Sequence, residues 1–496
     1  MLQVTADRPW PLFDVATTRA LEGEAAAALP PHTLMQRAGL ATARLALAIA
    51  PHAKTVWIAC GPGNNGGDGL EAAVHLHRWG KPVVLTLSGD PARLPLDAAA
   101  SWAKCQAAGL ARAEQPPRDW DLCIDALLGI GNARALEGAL AAVVHAINAG
   151  RGTVLAVDVP SGLSADTGTG ESVRATHTLS LLTLKPGLFT AFGRDRCGQV
   201  WFDDLALAAQ DERASAWLAG PPPPAARLHA SHKGSYGDVA VVGGAAGMVG
   251  AAVLAASAAL QAGAGRVYLC PLAPLAGALV PSQPELMVRE AVRLPLETMA
   301  VACGCGGGTE VAGVLPDVLR RAKSLVLDAD ALNVIAAEPA LQHALLRRTE
   351  RGQATVLTPH PLEAGRLLGC TAGEVQADRI RSATTLAARY GCVVLLKGSG
   401  SVIAAPGLDS RLRGNDGDGS ILPGEGMRLP RINPTGNARL ATAGTGDVLA
   451  GFIAALMAAG AAPANAAAAA AWRHGAVADR WPAGPALTAG ALARAL

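Results

Sequence analysis

The segment Leu218-Ala-Gly-Pro-Pro-Pro-Pro-Ala225 constrains this chain more than any other stretch. Consecutive prolines fix φ, carry no backbone donor and cannot continue a helix or a central strand, so the chain has to divide there. At 496 residues it is also too long for one compact core. The expected arrangement is a first domain over 1–217, a proline-rich linker over 218–226 and a second domain over 227–496.

On both sides, short apolar runs alternate with Ala-rich stretches, the pattern of parallel sheets covered by helices. Strands are expected at 55–60, 83–87, 122–124, 154–157 and 175–181 in the first half. In the second they are expected at 239–242, 267–269, 325–327, 355–357 and 393–396. The fold class is therefore α/β in both domains. Half of the residues are apolar but only 3% are aromatic, so Ala, Val and Leu must build the cores at close approach. Residues 405–431, rich in Gly, Asp, Arg and Pro, have no hydrophobic period and read as a mobile surface insertion without chemistry.

A net charge of +2 supplies no strong field for nucleic acid or an anionic membrane. The first fifteen residues carry early charges and prolines, which is not a secretory signal. Residues 239–260 and 439–473 are apolar, but their Gly and Ala content fits strands, turns and buried helices better than membrane spans. Nine scattered cysteines form no zinc pattern and read as free thiols in a reducing cytoplasm.

Two constellations carry chemistry. In the first, Gly61-Pro-Gly-Asn-Asn-Gly-Gly-Asp-Gly69 lies between the strand at 55–60 and a helix expected over 70–79. Its glycines are expected to take positive φ and bring N–H groups to a ligand. Asp125 follows the strand at 122–124, and Asp158 and Ser161 follow the one at 154–157. An open α/β sheet binds its ligands at such strand ends. Asn65, Asp125 and Ser161 could jointly offer hard oxygens to a cation, leaving Asp158 as a positioned acid or base. The plainer alternative is that each aspartate caps a helix.

The second constellation is spread over Ser231-His-Lys-Gly-Ser-Tyr-Gly-Asp238, Gly304-Cys-Gly-Gly-Gly308, Asp328-Ala-Asp-Ala-Leu-Asn333, Thr358-Pro-His-Pro361, Lys397-Gly-Ser-Gly-Ser401, Asn433-Pro-Thr-Gly-Asn437 and Gly444-Thr-Gly-Asp447. The last opens a helix expected over 448–458, so its N–H groups would form an anion site backed by the helix dipole. Asp447 is then placed to take a proton from a hydroxyl near a phosphate, an arrangement for phosphoryl transfer. Lys397 could bracket phosphates and His360 could contact a substrate. The plainer readings are a helix cap, a surface lysine and a structural histidine.

Residues 1 to about 215 resemble the YjeF N-terminal domain, the NAD(P)H-hydrate epimerase. The resemblance rests on Leu34-Met-Gln-Arg-Ala-Gly39, the 61–69 segment, Asp125-Ala-Leu-Leu-Gly-Ile-Gly131, Asp158-Val-Pro-Ser-Gly162 and Thr183-Leu-Lys-Pro-Gly187. It implies a Rossmann-like three-layer α/β/α fold. It also implies substrate on Asn64, Asn65, Gly66, Gly67, Asp68, Gly129, Ile130, Gly131, Asn132, Ala133, Arg134, Ala135 and Asp158. Potassium would sit on Asn65, Asp125 and Ser161, and Asp158 would be catalytic.

Residues from about 227 to 496 resemble the ribokinase-like NAD(P)H-hydrate dehydratase, again an α/β/α fold, on the motifs of the second constellation. The resemblance puts Ala251, Gly306 and His360 at the hydrate. It puts Lys397, Gly398, Ser399, Gly400, Ser401 and Gly446 at the adenine nucleotide and the catalytic Asp447 at the substrate hydroxyl. It implies ADP with Mg2+. Three departures stand out: Gly304-Cys-Gly-Gly-Gly308 where the family usually has Gly-Pro-Gly-Leu-Gly, Leu362 where it has Gly, and the long 405–431 insertion.

Jointly the resemblances imply an isomerase and a lyase in one chain, repairing hydrated nicotinamide cofactors. The first half would interconvert the R and S forms of NADHX and NADPHX. The second would dehydrate the S form while hydrolysing ADP to AMP and phosphate. A kinase of the hydroxymethylpyrimidine or hydroxyethylthiazole type, fused to a non-catalytic ligand-binding domain, is the alternative. An ordinary Rossmann dehydrogenase is disfavoured, since the 61–69 segment is not GxGxxG. The expected partners are small molecules, with no nucleic acid and no membrane, in a cytoplasmic homo-oligomer.

Overall fold

The computed structural model describes residues 1–131, 136–224, 228–274, 283–407 and 429–496. Asn132, Ala133, Arg134 and Ala135 lie outside the described residues, as do 408–428 of the expected insertion and 225–227 of the expected linker. The chain forms two compact units, residues 1–5 with 10–216 and residues 6–9 with 217–496.

In the first unit the strand order across the sheet is Leu2–Gln3, Gln199–Asp203, His177–Leu181, Thr153–Val157, Leu122–Ala126, Val56–Cys60 and Val83–Leu87. All neighbours are parallel except the first pair. Successive strand side chains point to opposite faces, and here both faces are apolar. Ile58, Cys60 and Ile124 pack with Ala43, Leu45 and Leu70 of the helices Thr33–Ile49 and Asn64–Arg78. Trp57, Ala59 and Cys123 pack on the other face with Val144 and Ile147 of the helix Gly138–Ala149. This alternation makes the three layers.

The second unit orders its strands Met287–Val288, Arg266–Pro271, Asp238–Gly243, Ala300–Cys303, Ser324–Leu327, Thr355–Leu357 and Val393–Leu396, all parallel. Val402–Ala404 and Arg431–Ile432 then extend it antiparallel, so the sheet is mixed where a parallel one was expected. Arg431, assigned above to the insertion, belongs to that last strand. Leu218, assigned to the linker, pairs with Ile432. One face carries Leu315, Leu319, Ile335 and Leu386, the other Ala252, Ala255, Phe452 and Ile453.

The apolar stretch 239–260 is a strand, a turn with Gly244 and Gly247 at positive φ, and the helix Val249–Gln261. No described helix is long and apolar enough to cross a membrane. All nine cysteines are free thiols.

Candidate active sites

Two expectations about the 61–69 segment need correcting. The helix does not wait until residue 70; it runs Asn64–Arg78 with Gly63 at its N-cap, so the asparagines and Asp68 sit in its first turns. Nor do Gly61, Gly63, Gly66, Gly67 and Gly69 adopt positive φ. Their small size is used for close approach instead. A Cβ on Gly61 would lie 1.7 Å from Leu127 O, and one on Gly66 would lie 2.0 Å from Gly61 O. Bare backbone lets the helix start against the neighbouring strand end, which sets where Asn65 and Asp68 project.

Asp125 is inside the strand Leu122–Ala126 rather than after it. It is fully buried and pinned by donors from Ser161: Oγ to Oδ1 at 2.6 Å and backbone N to Oδ2 at 2.9 Å. Burial lifts its carboxyl to about 6, with the Ser161 hydrogen bonds opposing. Among the described residues it has no ion-pair partner. Asn65 lies alongside, its Oδ1 only 3.2 Å from where a Gly129 Cβ would stand, and its Nδ2 is buried without a hydrogen bond. Of the expected cation trio, Asp125 and Ser161 are bonded to each other, and Asn65 lies against Gly129.

Asp158 ends the strand Thr153–Val157 at φ 68°, a left-handed conformation uncommon outside glycine. Its carboxylate accepts from Leu181 N at 3.3 Å and from the Nζ of the fully buried Lys185. Lys185 Nζ also donates to Leu181 O at 2.8 Å. Glu22, on the helix Val15–Ala28, is raised by burial and then by the Asp158 charge. Asp68 is held well above the usual carboxylate range by burial, then by Asp158, Glu22 and Glu71. One site therefore combines an ion-paired carboxylate with two acids inclined to keep their protons. Lys185 and Glu22 were not singled out from sequence, although a lysine between an apolar strand and a proline is a visible signal. Ile130 is half-buried, and Gly131 is exposed.

In the second unit, four adjacent parallel strands deliver the site from their carboxyl ends. Ser324–Leu327 leads to Asp328, which accepts from Thr358 Oγ1 at 2.8 Å and from Lys397 Nζ at 2.5 Å. Lys397, after Val393–Leu396, is mostly buried rather than a surface lysine, and also lies 4.0 Å from Glu363 Oε2. Glu363 is lifted to about 7 by burial, with Lys397 opposing. His360 caps the helix Pro361–Leu368 through Nδ1, 3.1 Å from Leu362 N, and its Nε2 is 3.2 Å from Glu363 Oε1. Its structural role is real and leaves half of the ring exposed.

The helix expected over 448–458 runs Thr445–Ala458, with Gly444 at φ 91° as its N-cap. Asp447 is in the first turn, three residues after the N-cap Gly444. Burial and then the Asp328 charge raise it to about 6, with the Cys305 hydrogen bond and Lys397 opposing. A Cβ on Gly446 would stand 3.3 Å from Lys397 Nζ, so that turn faces the lysine. The buried His474, neutral with its pKa lowered to about 4 by burial, contacts Thr445 O at 2.9 Å and fixes the turn. Gly306 lies against Ala251, 2.8 Å from its would-be Cβ. Gly398 N reaches Ser401 Oγ at 3.3 Å, closing the Lys397–Ser401 segment into a turn that includes Ser399 and Gly400. Asp328, Glu363 and Cys305 complete a site of which sequence reasoning had picked out Lys397, His360, Gly446 and Asp447.

Residues 31–187 match the family model of the YjeF-related protein N-terminus, and residues 239–427 with 429–496 match that of the NAD(P)H-hydrate dehydratase. The chain is 36% identical over 476 residues to the bifunctional NAD(P)H-hydrate repair enzyme Nnr of Escherichia coli, covering 90% of this chain and 85% of that one. The chain belongs to the bifunctional NAD(P)H-hydrate repair enzymes. The family member of Moorella thermoacetica is 34% identical, with 91% of this chain and 88% of that protein covered. Among solved structures, the ADP/ATP-dependent NAD(P)H-hydrate dehydratase of Bacillus subtilis, co-crystallised with ATP and Mg2+, is 31% identical. It covers 55% of this chain and 91% of its own, with a TM-score of 0.43. As a bifunctional repair enzyme the chain joins an epimerase unit to a dehydratase unit, and the kinase alternative is not favoured.

Proposed function

We propose that the first unit interconverts the R and S hydrates of NADH and NADPH through Asp158. The second then dehydrates the S form at the expense of ADP, with Asp447 as base. The single observation that carries this is an acid–base centre in each unit, Asp158 after a strand and ion-paired to a buried lysine, and Asp447 at a helix N-terminus beside a second lysine.

In the first unit, Asp158 exchanges a proton with the hydrate hydroxyl while the Lys185 contact aims the carboxylate. Asn64, Asn65, Gly66, Gly67, Asp68, Gly129, Ile130, Gly131 and the 132–135 segment line the substrate. Asn65, Asp125 and Ser161 fit a potassium ion: two neutral oxygens and one buried carboxylate without a cation suit a single positive charge. Bound there, it would offset the Asp125 charge.

In the second unit, Asp447 takes the hydroxyl proton and the freed oxygen attacks the terminal phosphorus of ADP, releasing AMP. Loss of the new phosphate ester with a ring proton restores the dihydronicotinamide, so the oxygen of the added water leaves in phosphate. Lys397, Gly398, Ser399, Gly400, Ser401 and Gly446 hold the nucleotide, and Ala251, Gly306 and His360 the hydrate. The protein groups do not by themselves make a magnesium cage, because Asp328 is engaged by Lys397 and Thr358 and the Cys305 thiol is a soft donor. Mg2+ fits as the companion of the nucleotide phosphates.

Incubation with mixed hydrate epimers, with and without ADP and Mg2+, tests the reading by the reduced-nicotinamide absorbance. Full recovery of both epimers with ADP supports it. A stable phosphorylated product would restore the kinase reading. Replacing potassium with tetramethylammonium should slow R-form consumption and leave S-form dehydration unchanged; an unaffected epimerase rate removes the cation from the reading. Nine free cysteines accord with a reducing cytoplasm. Sedimentation tests the expected homo-oligomer.

A further inference from the structure

We propose that Cys305 is a positioning residue of the dehydratase site, its thiol holding the Asp447 carboxylate in the orientation from which it accepts the substrate proton. The inference rests on Asp447 being the base.

The backbone around Cys305 is fixed on both sides. It follows the strand Ala300–Cys303 through Gly304, whose φ of 115° favours glycine. Gly304 N donates to Val242 O at 3.0 Å, and Cys305 O accepts from Gly244 N at 3.0 Å. The neighbouring strand end approaches so closely that a Cβ on Gly243 would lie 2.3 Å from Cys305 O. The side chain is fully buried, in the core that also holds Ala252, Ala302 and Leu449. Its Sγ and one carboxylate oxygen each of Asp328 and Asp447 lie within 4.8 Å of one another, which puts the thiol within reach of the Asp447 carboxylate.

The neighbouring cation is committed elsewhere. Lys397 is bonded to Asp328 and shared with Glu363, so it does not fix Asp447 in one orientation. A direct ion pair would also draw proton affinity out of the base. A neutral donor orients one oxygen and leaves the other to receive a proton. Burial, and then the charges of Asp447 and Asp328, push the Cys305 thiol well above its ordinary value. It therefore stays protonated, a donor rather than a nucleophile.

Cys305→Ala removes the donor with little change in volume. Dehydratase kcat should fall by about 3–10-fold, with KM for ADP and hydrate within about twofold, as expected for one hydrogen bond to a charged group. The acid limb of kcat/KM should move up by about half a pH unit, because the carboxylate loses a partner of its charged form. Cys305→Ser should restore both. A purely packing role predicts a lower Tm for the Ala variant with the limb unmoved, and that result overturns the proposal. If the Ala variant does not fold, the infrared S–H band of Cys305, isolated as wild type minus Ser variant, remains decisive. It should shift when Asp447 becomes Asn, and an unshifted band also overturns the proposal. Failure of the underlying reading looks different: a wild-type profile with no acid limb, or an Asp447→Asn variant with full turnover, removes Asp447 as base whatever Cys305 does.

Discussion

Asp447 shows what a residue gains from its surroundings beyond its motif. Gly-Thr-Gly-Asp before an apolar helix was legible in sequence, and so was a role in proton transfer. The carboxyl's position near 6 was not, because it depends on burial and on Asp328, 119 places earlier in the chain but close in space. Asp447→Asn keeps the helix start and the shape but removes the acceptor. Dehydratase turnover should fall by about 10²–10⁴-fold, with nucleotide binding and epimerase activity retained. Full turnover in the Asn variant would return Asp447 to a capping role. The pH profile of the wild type follows from the same carboxyl. The base works ionised, so dehydratase kcat/KM should fall as pH drops through about 6. A flat profile down to pH 5 would mean that another group accepts the proton. Lys185, Glu22 and Glu363 escaped the sequence reading for a related reason. Each matters through a buried partner from another element, and nothing local to it says which partner that is.

Among the elements, strand positions were read nearly correctly because parallel strands buried on both faces are continuous apolar runs. Val83–Leu87, Thr355–Leu357 and Val393–Leu396 fall where expected. Gln199–Asp203 was missed because its polar ends mask a short core, and Ala300–Cys303 because Ala and Cys carry little strand signal. Glycines misled most. In the 61–69 segment they serve contact between elements rather than turns, and the helix Thr445–Ala458 uses a glycine in the same way. Gly451 is such a contact: a Cβ there would lie 1.9 Å from Ala255 O on the helix Val249–Gln261. Gly451→Ala must push these two helices apart, and the first carries Asp447 at its start. We expect a loss of about 1–3 kcal/mol on thermal or urea unfolding, and a dehydratase rate reduced more than the epimerase rate. An unchanged Tm would show that the helices have slack the close approach does not suggest.

For the whole molecule, the proline run suggested two domains joined by a simple linker, and the packing complicates that reading. Residues 6–9 belong with the second unit although the residues on either side of them in sequence belong to the first, and Trp472 Nε1 donates to Ala6 O at 3.3 Å. Gly220 packs so closely on the same segment that a Cβ there would lie 2.6 Å from Pro9. A chain cut at Pro222 therefore separates the dehydratase fragment from a short stretch of its own packing. The fragment ending at 222 should be soluble and epimerise the hydrates, since its sheet and both covering layers are complete. The fragment from 223 should dehydrate the S form but unfold at a lower temperature than the same unit in the intact chain. Joining residues 4–12 to it through a flexible tether should recover part of the difference, because the contacts of residues 6–9 are returned while those of 217–222 stay with the other fragment. Equal Tm values with and without the tethered segment would make residues 6–9 a passive strand of chain. An insoluble epimerase fragment would mean that the first unit depends on the second for folding, and the proline run would then mark a bend rather than a boundary.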